Sequence, residues 1–600
     1  MKYLFLSATL AATLLGPLMS YTRPTAASAL AAAPADSPAL AKLFDQYWDE
    51  RARLYPLEAT GLGDNRYNDQ LPNSGTAAYR AAQQQFFERY LTQVRTFDRA
   101  KLSDHDRVSY DIFLYEMQMR LEGLRQPTWM MPFTQVNGLP ISLAQLGAGT
   151  GDQPFKTTQD YDNWLSRVRA YPAWADTAIS NFRRGMRAGV VLPRALVEKM
   201  LPQLQALVTA DPAKSAFYGP VAKFPATVPA ADQPRLTAAY QQAIREQVAP
   251  TYQKLHDFLQ NEYLPKARPS TGISAVPGGE KLYRYAVKQW TTTDQTPDQI
   301  YQTGLSEVKR IRAEMDKIRG EVGFQGDLNA FFTYLSTDKQ FMPFRTADEV
   351  LAVYRGIQAK IDPNLKKMFG KVPKTGFEVR QTEAFRAASA SAQYNRGLPD
   401  GTRPGIFYVP ILDPTQYNVT RGMEALFLHE AIPGHHYQIA LQQENTSLPK
   451  FRRFGGYGAF VEGWALYTES LGKELGLYTD PYQRVGALNT EIHRAIRLVV
   501  DVGMHSKGMT REQAIKYLMD NRPISEQAAV AEIERYMANP GQALSYKIGQ
   551  LKILELRRKY EKQLGPKFRL SAFHDQLLAN AAMPLAIAEK AMDAWAATQK

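Results

Sequence analysis

The sequence has 600 residues, with 72 Lys+Arg against 59 Asp+Glu for a formal charge of +13, 44% apolar residues and no cysteine. This is a globular composition, long enough for more than one domain, and Gly 39 with Pro 37 gives no support to collagen-like or low-complexity structure. Without cysteine there can be no disulfide framework, thiol nucleophile, iron–sulfur ligation or thiolate zinc site, so a metal here would rest on His and carboxylate ligands.

The positive charge is spread along the chain with no Lys/Arg-dense tract, so nucleic acid is not an expected partner. Lys2 precedes an apolar stretch broken by Gly16 and Pro17 and followed by small residues, the layout of a secretory signal with cleavage after Ala29 or Ala33. Residues 1–33 are read as signal peptide and linker. The mature protein is expected in the periplasm or outside the cell, with no stable membrane anchor and, lacking cysteine, no lipoprotein attachment.

From about Leu40 onward the periodicity is mainly α-helical. A loop-rich stretch from Arg268 to Gly279 marks a boundary between an N-terminal helical lobe, 34–275, and a C-terminal catalytic lobe, 276–600. Thr296-Pro-Asp-Gln299, Thr346-Ala-Asp-Glu349 and Thr510-Arg-Glu-Gln513 read as capping boxes that open helices. Pro404-Gly-Ile-Phe-Tyr408-Val-Pro410 is the best strand, fenced by prolines and therefore expected at a sheet edge.

Five of the eight histidines lie between His429 and His505, three of them in His429-Glu430-Ala-Ile-Pro433-Gly434-His435-His436. In an HExxH helix, histidines four residues apart share a face and one metal while the intervening Glu meets the bound water. Here the second position is Pro433, so the helix should break after Glu430 and resume near His435, returning either His435 or His436 to the metal. On an unbroken helix His429 and His436 would be about 10 Å apart along the axis, too far to share one ion.

Glu462 is the expected third ligand, a carboxylate set among Phe460, Val461 and Trp464 where burial is costly unless it is paired, and Gly463 would admit a neighbouring element. Glu469, two turns on, would orient a ligand. Next, His493, Arg497, Asp501 and His505 form a polar stripe; an Arg497–Asp501 pair is one reading of it, and His505 is a candidate donor to a tetrahedral intermediate. Tyr546 is a second oxyanion donor, and Arg535 or Lys547 could hold a peptide carboxylate.

Together with WDERARLYPLEATGLGDNRYND, DGTRPGIFYVP, FVEGWALYTE, RLVVDVGMH and RYMANPGQALSYKIG, this segment resembles the bacterial domain of unknown function 885 family, grouped with HExxH metallopeptidases, over nearly the whole mature chain. Similarity to helical zinc peptidases with an HExGH core, such as the angiotensin-converting-enzyme and oligopeptidase groups, aligns Gly434-His435 with their Gly-His. The resemblance implies a zincin-like, two-lobed helical body around a deep cleft. It implies one zinc on His429, His435 and Glu462, Glu430 as base, and the edge strand with Tyr408 along the substrate backbone, with His436 a rival to His435. The expected function is a secreted zinc peptidase acting on short peptides. The alternatives are a zinc amidase of cell-wall peptides and a non-catalytic helical metal- or peptide-binding protein.

Overall fold

Thr296, Thr346 and Thr510 each accept a hydrogen bond from the backbone N–H three residues on, and the side chains of Gln299, Glu349 and Gln513 return it. The helices Pro297–Glu321, Ala347–Met368 and Arg511–Asn521 follow from these caps. The computed structural model describes residues 35–599 except 150, 383–390 and 402, so the expected signal segment lies outside the described residues. Helix makes up 69% of the structure, and the candidate metal ligands His429, His435 and Glu462 all lie on helices. No described helix is long and apolar enough to cross a membrane.

The described strands form one small sheet in the order β1-β3-β2: β1 is Phe377–Gln381, β2 Gln393–Asn395 and β3 Gly405–Val409. β3 was expected at an edge and is instead central, parallel to β1 and antiparallel to β2. The reason lies in where its prolines fall. Pro404 and Pro410 flank the strand without entering it, so every N–H from Gly405 to Val409 remains available to a neighbour. Phe407 and Val409 are buried in the core, while Tyr408 stands half-buried on the opposite face.

The apolar clusters cross the boundary expected at 275. One core joins residues from Leu40 to Leu121 with residues from Ile273 to Ala596; the buried residues of a second run from Phe133 to Ala267, between those two segments. A third lies mainly between the Pro297–Glu321 and Pro481–Ser506 helices. Two close approaches fix the helices around the candidate site. Gly463 on the Gly458–Ser470 helix faces Gly549 on the Ser545–Leu564 helix so tightly that a Cβ at 463 would stand 2.5 Å from Gly549 Cα. Gly304 brings the Pro297–Glu321 helix onto Leu498 and Val499.

Candidate metal centre

The helix Met423–Glu430 stops where the sequence places the break, and a new helix, His435–Glu444, begins five residues later. Gly434 folds back against the turn it has left: a Cβ there would collide with the carbonyl oxygens of His429 and Leu428. Trp464 Nε1 donates to the Pro433 carbonyl at 2.8 Å and Thr468 Oγ1 to the Leu428 carbonyl at 2.9 Å, fastening the break to the Gly458–Ser470 helix. That helix also presents Glu462, so one contact surface sets all three candidate ligands.

His429 Nε2 lies 3.6 Å and His435 Nε2 3.4 Å from Glu462 Oε2, with the two imidazole rings nearly perpendicular at 4.7 Å. Ligand atoms around a tetrahedral ion with bonds of 2.0 to 2.1 Å stand about 3.4 Å apart, close to these separations. Glu462 Oε2 is buried without a hydrogen-bond partner, as is His435 Nδ1. His429, His435 and Glu462 can therefore offer one donor atom each to a single ion.

Glu469 settles the tautomer of His429. Its Oε1 lies 2.8 Å from Nδ1, and an ionised carboxylate only accepts, so Nδ1–H donates and Nε2 turns toward Glu462, its lone pair free for a metal once that nitrogen gives up its proton. Thr490 Oγ1 donates to the other Glu469 oxygen, and Arg494 Nη2 stands 3.5 Å from Oε1. Burial opposes charge on His429, but Glu462 and Glu469 overcome it and push the imidazole up to about 9. Against its own burial, Glu462 is held well below the ordinary carboxylate range by His429 and His435. The pocket thus favours positive charge between these groups, which a proton or a divalent ion supplies.

Glu430, only 7% exposed, is pushed up first by burial, against the attraction of His429 and His435 and with repulsion from Glu462. His436 points elsewhere: its Nδ1 lies 3.0 Å from Tyr394 Oη on β2, its ring packs on Phe377, and burial brings it down to about 4. Geometry therefore brings His435, not His436, to Glu462. Tyr546 is half-buried nearby, its phenol pushed up by burial and then by the charge of Glu462, with Arg497 4.3 Å over its ring.

Other candidates are placed differently. His505 is fully buried; it accepts from Ile273 N–H at Nδ1 and donates from Nε2 to the Tyr536 carbonyl, both at 3.0 Å, leaving no ring N–H for an oxyanion. Lys547 is also buried, its ammonium shared among Glu307 at 2.9 Å, Glu491 at 2.7 Å and Gln550 at 2.8 Å, so it has no donor left for a carboxylate. Arg535 is only partly committed, to Gln542 at 2.8 Å and Glu532 at 3.0 Å. The Arg497–Asp501 pair does not form: Asp501 accepts from Tyr283 Oη and Gly541 N–H, and Arg497 turns to Tyr536, Tyr546 and Glu532. The sequence reading missed Thr490 and Arg494, although their spacing of four places them on one helical face.

A cavity of about 830 Å³ reaches Gly458, one turn before Glu462 and on the same face of that helix. Trp48, Tyr55, Tyr115, Trp290 and Tyr457 line it together with Arg120.

No curated protein matches the chain. Among solved structures it is similar to "the putative lipoprotein from Colwellia psychrerythraea", at TM-score 0.85 and 29% identity over 93% of this chain and 99% of that one. It also shares its fold with "a putative lipoprotein of unknown function from Shewanella oneidensis", at TM-score 0.72 and 21% identity over the same shares of each chain. The profile described as "Bacterial protein of unknown function (DUF885)" matches residues 56–592, and the chain belongs to that family.

Proposed function

We propose that the protein is an exported, divalent-metal-dependent peptidase of short peptides, with His429, His435 and Glu462 holding one zinc ion. The observation that carries this reading is the buried, unpartnered Oε2 of Glu462 facing two imidazole Nε2 atoms at 3.4 and 3.6 Å. A divalent ion held there would polarise a scissile carbonyl and acidify a water.

The chain's own groups would do the rest. Glu430 follows His429 directly, and its burial raises its proton affinity, which suits a base that takes a proton from water and passes it to the leaving amine. As the water oxygen bonds to the carbonyl carbon and the C–N bond breaks, the Tyr546 phenol would donate to the oxyanion. The aromatic-lined cavity that reaches Gly458, one turn before Glu462, would form part of a zincin-like cleft between lobes and limit the entry of competing water. Export is supported by the basic, apolar and small-residue pattern of residues 1–33 and by the lipoprotein description of the similar structures; this sequence, having no cysteine, offers no thiol for a lipid.

Digestion of a defined peptide mixture by zinc-loaded protein tests the reading. Cleavage by wild type, lost in Glu430→Gln with metal retained, is the expected result. Equal cleavage by both proteins would contradict it.

A further inference from the structure

With Lys547 neutralised, the positive charge left for a ligand lies one layer away. Arg497, Arg522 and Arg535 gather around a single carboxylate, Glu532: Arg535 at 3.0 Å, Arg497 at 3.4 Å, and Arg522 within its electrostatic reach. Three guanidinium groups thus outnumber Glu532 and Asp501, the latter within electrostatic range of Arg535. The donors are in surplus as well. Arg497 Nη1 and both Nε and Nη1 of Arg522 are buried without an acceptor, and Arg497 is only 7% exposed. Burial brings the Arg522 guanidinium down to about 10 despite the attraction of Glu532, as befits a cation short of counter-charge.

Buried guanidinium N–H groups without acceptors are costly, and a carboxylate meets them well because its two oxygens match the planar fork. The side chains of Arg535 and Glu532 are 26% and 21% exposed, so solvent reaches the cluster. Arg497 stacks on the ring of Tyr546, whose hydroxyl senses Glu462. A single tyrosine thus connects the arginines to the candidate metal centre, a short spacing that suits a main-chain carboxylate near the bond cleaved.

We propose that Arg497, Arg522 and Arg535 form a carboxylate-binding subsite that takes the C-terminal carboxylate of a short peptide. This deepens the peptidase reading and rests on it for the reaction, but binding alone reveals it.

The test is equilibrium binding of fluorescein-labelled pentapeptides to the full-length, zinc-loaded Glu430→Gln protein. The probes are one free acid, its C-terminal amide, and an amidated version with a glutamate side chain. The free acid is expected to bind about tenfold more tightly than the amide. That preference should fall to about twofold or less when Arg522→Gln is added, and partly return with Arg522→Lys. Zinc content checks that the variants keep the neighbouring site. Equal affinity for acid and amide, no binding of either, or an undiminished preference in Arg522→Gln would overturn the subsite; tight binding of the glutamate peptide would overturn its assignment to the C-terminus. The peptidase reading fails separately: acid-selective binding with no cleavage by wild type would remove the enzyme and leave the subsite.

Discussion

His429 Nδ1 lies 2.8 Å from Glu469 Oε1, a bond that joins two helices and aims the other imidazole nitrogen at Glu462. Because Glu469 fixes both ring angle and tautomer, Glu469→Gln should weaken zinc binding about 10- to 100-fold without abolishing it. Competition with a chelator measures this. Unchanged affinity would show that His429 is oriented by something else.

The break after Glu430 depends on close backbone approach at Gly434. Gly434→Ala places a Cβ against two carbonyl oxygens that belong to a buried turn, so the chain must move where both histidines sit. The expected cost is on the order of 3 kcal/mol or more, together with loss of zinc, read by denaturant melts and metal analysis. A stable, zinc-replete variant would refute the packing argument.

His505 and His574 are buried and neutral, held down to about 4 and about 3 by burial, and each donates one ring N–H to a backbone carbonyl. Their folded-state pKa values lie below the unfolded value near 6.5, so the unfolded chain binds more protons as pH falls. Stability is therefore full above about 6.5 and declines toward 4, each histidine contributing on the order of 3 kcal/mol at the acid end. Melting temperatures from pH 8 to 4.5 follow the decline, and His505→Asn, weaker at pH 8, should lose less over that range. A parallel decline in the variant would remove His505 from the explanation.

Lys547 serves the fold rather than a ligand. Lys547→Met leaves Glu307 and Glu491 facing each other with Arg310 as the remaining cation, and should destabilise by about 3–5 kcal/mol. Discrimination between acid and amide peptides should survive in whatever fraction folds, as binding at low temperature would reveal.

The sequence was most readable where a residue constrains its own backbone. Pro433 and Gly434 announced the break between His429 and His435, and the threonine capping boxes announced helix starts, because those effects act within a few residues. Glu462 was found because a carboxylate among apolar neighbours needs a partner, and Glu469 because it lies two turns on along the same helical face. Periodicity shows which residues share a face but not what that face meets, and so His505 and Lys547 were assigned to a cleft while the structure commits both to buried partners. Arg522 and Glu532 carried no local signal: a single charge just past a helix end or within a polar helix looks the same solvated or assembled, and only packing of distant segments brings them to Arg497. The central position of β3 was obscured in a similar way, since flanking prolines look like edge markers until the strand's own limits are known.

Metal content per chain, compared between wild type and Glu462→Ala after identical purification and zinc addition, tests the central claim most directly. About one zinc per wild-type chain, lost in the variant while the helical signal is kept, is the predicted result. No zinc in wild type, or equal zinc in both proteins, would contradict a metal centre at His429, His435 and Glu462.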